Sequence, residues 1–231
     1  MQADLGAAFA AVGWFAPAAA PVVPPIAGAF RIPLRLPGEG IAVTFDDGPH
    51  TRGTPAVLAA LDLAGAKATF FLVGEQVERA PALAREIVDA GHEVGIHGHR
   101  HTLLLRRSPR AVRDDLERAH DVIASAAGVL PTAYRPPYGV FSGPALLIAR
   151  RLGWRPILWS RWGRDWEASA TAASIADRAT RKLRTGDVVL LHDADHYGSG
   201  DSWVKTAAAL PAVLAAASAT GEPLVSVSHS R

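Results

Sequence analysis

Seven short apolar runs, each broken by turn residues and separated from the next by a helical stretch, set the strongest constraint on how this 231-residue chain folds. The runs lie at 41–45, 67–73, 92–96, 132–135, 155–160, 187–191 and 223–227, and their length and bounding Gly, Pro and Asp residues mark them as strands. The intervening stretches carry helix punctuation. Thr54 as N-cap and Pro55 at the first helical position open a helix that runs to Ala64 and stops at Gly65. A second helix covers Ala82 to Ala90. A longer one starts at Ser108-Pro109, places Val112, Leu116, Ala119 and Ile123 on one face, and ends at Gly128. Helices follow at Pro144 to Leu152, Ala172 to Leu183, and Ser202 to Ala219, the last with a kink expected at Pro211. Strand–helix alternation predicts a parallel sheet. Seven alternations in one chain of this size predict a sheet closed, or nearly closed, into a (β/α) barrel, with an open doubly wound sheet as the alternative. No internal repeat and no low-complexity linker divides the chain, so it reads as a single α/β domain.

Composition narrows the class. Hydrophobic residues make up 49% and charged residues 20%, enough apolar side chains for a large core and too many for wholesale disorder. A formal charge of +2 and no aromatic-interleaved basic stripe give nucleic acid no recognisable footprint. The absence of cysteine excludes disulfides and thiolate metal sites. Leu5 to Phe30 is uncharged and Ala-rich, with Pro17, Pro21, Pro24 and Pro25, which argue against a continuous membrane helix. Residues 1–40 are read as an N-terminal arm, either packed on the domain or the remainder of an export or anchor segment.

The chemistry collects where strands end, which is where a parallel α/β fold assembles its active site. Asp46 and Asp47 follow the first strand, in Thr44-Phe45-Asp46-Asp47-Gly48-Pro49. Turn chemistry explains one Asp before Gly; two adjacent carboxylates repel unless a cation or shared proton relieves them. His97, His99 and His101 follow the third strand. On a helical turn His97 and His101 share a face with roughly 5–6 Å between their Cβ atoms, enough to grip one ion; on an extended segment all three line one face. Two imidazoles and a carboxylate suit zinc or a similar divalent ion such as cobalt, with one coordination position left open. Arg135 ends the fourth strand ahead of Pro136-Pro137-Tyr138-Gly139 and is expected to pair with one of the acids. Asp165-Trp166 follows the fifth strand, and His192-Asp193 ends the sixth. Trp159, Trp162 and Trp166 are either core or aromatic faces for sugar rings, and His196 and Tyr197 are as readily solvated as functional.

Taken together, Thr44-Phe45-Asp46-Asp47-Gly48, His97-Gly98-His99-Arg100-His101, Arg135-Pro136-Pro137-Tyr138, Asp165-Trp166 and Leu190-Leu191-His192 resemble, in order, the five motifs of the NodB-type polysaccharide deacetylases of carbohydrate esterase family 4. The resemblance spans about Ile41 to Val227 and implies a deformed, seven-stranded (β/α) barrel, with 41–231 as the catalytic domain. It implies a metal held by Asp47, His97 and His101, usually zinc. Asp46 would be the general base held by Arg135, His192 the general acid tuned by Asp165, and the Tyr138 backbone N–H an oxyanion donor. Trp162, Trp166 and Leu190 would line the substrate groove. The expected substrate is an N-acetylated amino-sugar polymer or oligomer, peptidoglycan- or chitin-like, which places the protein in the cell envelope or outside the cell. The same mechanism on a lipid-linked amino sugar or a non-sugar amide, and a catalytically silent carbohydrate-binding barrel, are the competing readings. Two positions depart from the family pattern: Gly98 stands where Ser or Thr is usual, and Trp162 where the fourth motif usually has its first Asp.

Overall fold

In the computed structural model, residues 13–228 are described. They contain seven parallel strands: β1 (Ala42–Asp46), β2 (Thr69–Leu72), β3 (Glu93–Ile96), β4 (Ala133–Tyr134), β5 (Arg155–Pro156), β6 (Arg161–Trp162) and β7 (Val188–His192). Eight helices accompany them: α1 (Pro24–Ala29), α2 (Gly53–Leu63), α3 (Gly74–Arg79), α4 (Pro81–Asp89), α5 (Pro109–Ala127), α6 (Gly143–Arg151), α7 (Ala172–Thr180) and α8 (Ser202–Ser218). The strand order is β5-β4-β3-β2-β1-β7-β6, so β1 is an interior strand between β2 and β7 and is fully buried along its length.

The connection between β5 and β6 decides the shape. These strands occupy opposite edges of the sheet, yet only residues 157–160 join them. A flat sheet of this size would separate its edges by about 29 Å, whereas five residue steps reach about 18 Å at most. The sheet must therefore curl, and it does so into a deformed barrel. Across the seam, the Ile157 N–H donates to Tyr134 O and the Ser160 N–H to Val188 O, so the chain leaves β4 and joins β7 within four residues.

This corrects two expectations. The run at 155–160 is not one strand: it holds the two-residue β5 and the link across the seam, and β6 begins just beyond it at Arg161. The run at 223–227 is not a strand of the sheet; it keeps a single parallel bridge, Leu224 to Ile41. The count of seven stands because the seam contributes two. Residues 223–227 close the lower mouth instead: Val225 N–H donates to Ile41 O, Val227 N–H to Thr69 Oγ1, and Val227 is buried against Leu36, Ala42 and Val188.

Side-chain alternation then sorts the strand residues. Ile41, Val43, Phe45, Phe70, Leu72, Val189 and Leu191 pack outward into the main core beneath the helices. Ala42, Phe71, Ala133, Ile157 and Val188 form a smaller cluster inside the barrel. Ala42, Thr44 and Asp46 consequently share the interior face, as do Ala133 and Arg135, and Val188, Leu190 and His192. The interior changes from apolar at the bottom to ionisable at the top.

Local chemistry holds the helices. Ser108 caps α5 by accepting from the Ala111 N–H at 3.2 Å, and Gly128 ends it at φ +73°, a cap contributing about 1 kcal/mol. Thr171 and Ser174 form a reciprocal cap on α7. Helix α3 carried no recognised sequence signal, being only six residues long. From the N-terminal stretch, Ala20, Ala27 and Ile32 are buried in the main core, and the Trp14 indole donates to Leu105 O at 3.3 Å; residues 5–12 of the uncharged stretch lie outside the described residues.

Candidate active site

The β1–β7 register sets Asp46 beside His192, so the two titratable ends of the central strands lie level at the top of the barrel. Asp46 is held from below. The Arg135 guanidinium donates through one nitrogen to Asp46 Oδ1 at 2.7 Å and to Thr44 Oγ1 at 2.8 Å, and through another to Leu158 O at 2.8 Å. Thr44 passes the chain on by donating to Val189 O at 2.7 Å. Arg135 is fully buried and packs against the Phe71 ring, 4.1 Å from its centroid. It is both a barrel plug and the orienting group of Asp46, because the carbonyl it binds belongs to the seam.

His192 is held from the side. Its Nδ1 lies 2.9 Å from Asp165 Oδ1, its backbone N–H donates to Asp165 Oδ2 at 2.7 Å, and Thr206 Oγ1 donates to that same oxygen at 2.8 Å. Burial disfavours the imidazolium, but Asp165, with help from Asp47 and Asp46, outweighs it and pushes His192 up to about 10. Nδ1 is therefore the proton-bearing nitrogen on the Asp165 side, and Nε2 faces the cavity, 3.9 Å from Asp47 Oδ2.

Asp47 completes the centre. Its backbone takes φ +76°, a left-handed conformation that aspartate tolerates better than most side chains, and this turns the carboxylate away from Asp46 towards the histidines. Its Oδ1 lies 3.4 Å from His97 Nε2 and 3.2 Å from His101 Nε2. Burial opposes the charge, but the imidazoles of His101, His97 and His192 hold this carboxyl well below the usual carboxylate range. Oδ1 is buried without a hydrogen-bond partner, a cost a native structure does not leave uncompensated.

The donor set fits a cation. The Asp47, His97 and His101 ligand atoms all lie within 4.8 Å of one another. Two donors about 2.0–2.2 Å from a tetrahedral zinc stand about 3.3–3.5 Å apart, within about 0.1 Å of the spacing Asp47 already has to each imidazole. His97 is oriented by its other nitrogen, 2.8 Å from Arg135 O, the outer contact expected of a metal-ligating histidine.

The histidine segment adopts neither expected form. Gly98 at φ +86° bends it, so His97 and His101 converge with ring centroids 5.3 Å apart while His99 is buried on the far side, away from them. The His99 N–H donates to Asp115 Oδ2 at 2.9 Å and its ring approaches Glu78 at 3.9 Å. Asp115 also accepts from the Arg100 N–H; this carboxylate supports the loop where the glycine has no hydroxyl to offer. Asp115 was missed from sequence, although an acid beside Leu116 on the apolar face of α5 is a readable anomaly. Thr206 carried no such signal.

A cavity of about 300 Å³ opens above these groups, lined by Asp46, Asp47, His101, His192, Leu190 and aromatic side chains. Trp159, Trp162 and Trp166 form one wall, at successive centroid distances of 5.9 and 5.7 Å, and Trp166 meets the His192 ring edge-on at 5.3 Å. Tyr138, at φ +60°, and Tyr197 line the cavity where they meet the His101 ring. The eleven residues given roles by the resemblance surround or support this cavity, whereas His99 and His196, also candidates, do not line it. Tyr197 joins them from the loop after β7; His196 instead turns to Pro49 O, at 3.4 Å.

The family model for "Polysaccharide deacetylase" matches residues 35–157. The chain belongs to the polysaccharide deacetylase family. It is 34% identical over 192 residues to a peptidoglycan-N-acetylglucosamine deacetylase of Bacillus cereus, covering 82% of this chain and 86% of that protein. It is 33% identical over 190 residues to a chitooligosaccharide deacetylase of Azorhizobium caulinodans, covering 79% and 90%. Among solved structures, a family 4 carbohydrate esterase from Streptomyces lividans in complex with acetate superposes with a TM-score of 0.73 at 29% identity, covering 84% of this chain and 96% of that one. This deacetylase is accordingly an enzyme of the hydrolase class, on the deformed barrel its motifs imply. Among the described residues no helix is long and apolar enough to cross a membrane.

Proposed function

We propose that this deacetylase removes N-acetyl groups from an amino-sugar polymer or oligomer, peptidoglycan- or chitin-like, with one divalent cation held by Asp47, His97 and His101. The observation that carries the reading is the placement of two separately held titratable groups around that donor triangle. Asp46 is fixed by Arg135, and His192 by Asp165. Binding alone needs neither.

Bound at the triangle, zinc or a similar ion supplies Lewis-acid polarisation of the amide carbonyl and lowers the pKa of water. The chain's own groups do the rest. Asp46 accepts a proton from the attacking water through the carboxylate edge that faces His97, at 3.8 Å. Arg135 keeps that edge in place by occupying the other oxygen. An amide nitrogen is an impossible leaving group unless protonated, and His192 Nε2 faces the cavity with the proton to deliver. Asp165 keeps His192 charged until transfer. The backbone N–H of Tyr138 serves as a donor to the developing oxyanion, with the Pro136-Pro137 pair and the left-handed Tyr138 setting its loop. Trp162, Trp166 and Leu190 line the substrate groove, the indole faces excluding water from the acyl group. Substrates of this class lie in the envelope or outside the cell, which is where the protein acts.

The test is acetate release by zinc-loaded protein from N-acetylated chito-oligosaccharides and peptidoglycan fragments, with a chelated sample alongside. Acetate that disappears on chelation and returns with zinc supports the reading. No acetate from any member, with zinc shown to be bound, overturns it.

A further inference from the structure

The two imidazoles at the candidate metal centre are supported differently. His97 has its outer nitrogen on Arg135 O at 2.8 Å, whereas His101 Nδ1 is buried without any hydrogen-bond partner. A ligating histidine ordinarily has its tautomer and ring angle fixed through that second nitrogen. His101 lacks this hold, and what it has instead is two tyrosine rings. Tyr197 lies flat on it, with centroids 4.0 Å apart and planes inclined by 11°, and Tyr138 meets it edge-on at 4.4 Å.

Tyr197 is itself fixed. Its hydroxyl donates to Glu75 Oε1 at 2.8 Å and accepts from Gln76 Nε2 at 2.9 Å. Both partners lie on α3, whose first amides, Gly74 and Glu75, donate to Gly98 O and His99 O at 2.9 Å each. One short helix therefore grips the histidine loop through its backbone and the tyrosine through its side chains. The loop carrying Tyr197 is pinned further on, where the Ser199 N–H donates to Trp166 O at 3.1 Å.

We infer that Tyr197 is a positioning residue for His101, its ring taking the place of the missing outer hydrogen bond and holding the imidazole at the angle a divalent cation needs. A stacked plane restricts ring rotation as a hydrogen bond would, and covers Nδ1 against water. The inference rests on the reading of His101 as a ligand, and its test separates the two.

The experiment measures zinc affinity of the metal-free full chain by competition with a chromophoric chelator, for wild type, Tyr197→Ala, Tyr197→Phe and His101→Ala, with apo unfolding temperatures recorded for each. Tyr197→Leu, which keeps apolar volume without a flat ring, replaces the alanine variant if that one does not fold. Loss of an outer-shell partner costs about 10–100-fold in metal affinity, and Tyr197→Ala is expected to weaken zinc by that factor at an unchanged apo unfolding temperature. Tyr197→Phe, which keeps the stack, is expected to stay within about threefold of wild type, since the ring and not the hydroxyl is what meets His101. Wild-type affinity in Tyr197→Ala, with His101→Ala losing zinc, overturns the inference alone. Equal losses in the alanine and phenylalanine variants overturn it too, because the hydroxyl and not the ring would then be the agent. Zinc retained by His101→Ala overturns the ligand reading beneath it.

Discussion

The buried floor of the site and its aromatic rim are built by different physics. On the floor, Thr44, Asp46, Arg135 and His192 point inward because strand alternation leaves them no other face, and the β1–β7 register sets Asp46 level with His192. Thr44, Asp46 and Arg135 are tied to one another, to β7 and to the seam, and His192 to Asp165 in the loop after β6. On the rim, Tyr138, Trp162 and Tyr197 come from loops and short edge elements, and they are held by ring contacts. Trp162 is 39% exposed and Tyr138 56%. In the proposed reaction the floor acts on the amide bond and the rim on the sugar around it. A floor substitution should therefore change rate or folding, and a rim substitution should change binding.

The largest expected effect is on the floor. Asp46→Ala should retain zinc and lower kcat by about 10²–10⁴-fold, the usual contribution of a general base, while His101→Ala should lose both zinc and turnover. Acetate assays paired with metal analysis check this, and full activity in either variant removes the role assignment. Arg135→Ala should fail in another way. It leaves Asp46 buried and unpaired, removes a guanidinium that bonds seam carbonyls, and should destabilise the fold by about 3–5 kcal/mol. Urea unfolding measures that loss; a variant as stable as wild type would mean the seam does not depend on the plug.

The same division explains what was readable in the sequence. Asp46, Asp47, His97, His101, Arg135 and His192 sit at ends of apolar runs, where strand periodicity alone predicts convergence. Their supports were harder to see. Thr206 reaches Asp165 from α8, a contact between residues distant in sequence that no local pattern encodes, and Asp115 reaches the histidine loop from α5, where an acid on an apolar helix face is the one hint. The seam was misread for a related reason. Residues 155–160 have one strand's composition, but their hydrogen bonds pass from β4 to β7, a division imposed by barrel closure. Residues 223–227 look like a strand because they are apolar, and they are apolar because Val227 fills the lower mouth. Tyr197 stood in the sequence only as a residue as readily solvated as functional, since stacking on His101 depends on where a nine-residue loop returns.

An intermediate effect is expected at Asp165. Burial disfavours the His192 imidazolium, but Asp165, together with Asp47 and Asp46, outweighs it and raises this histidine to about 10. Asp165→Asn removes the charge but leaves burial, which favours the neutral ring. A general acid must be protonated to act, so the alkaline limb of kcat/KM should move to lower pH in the variant, with kcat reduced even at its optimum. A pH–rate profile that keeps its alkaline limb would show that Asp165 only positions the ring.

The smallest effect should come from Trp162. It lies between Trp159 and Trp166 on the cavity wall, with Arg164 over its face at 5.8 Å, and it replaces an acid expected at this motif position. No floor residue hydrogen-bonds through it. An aromatic face contributes about 0.5–1.5 kcal/mol beyond area burial, so Trp162→Ala should raise KM by about two- to twelvefold. The effect should grow with oligosaccharide length if the wall receives a neighbouring sugar. kcat should stay within about twofold and stability within about 1 kcal/mol, because the side chain is already partly in solvent. Initial rates on substrates of increasing length separate the outcomes. A large kcat loss with KM unchanged would mean that the Trp wall acts through Trp166 on His192, and that the rim and the floor are one device.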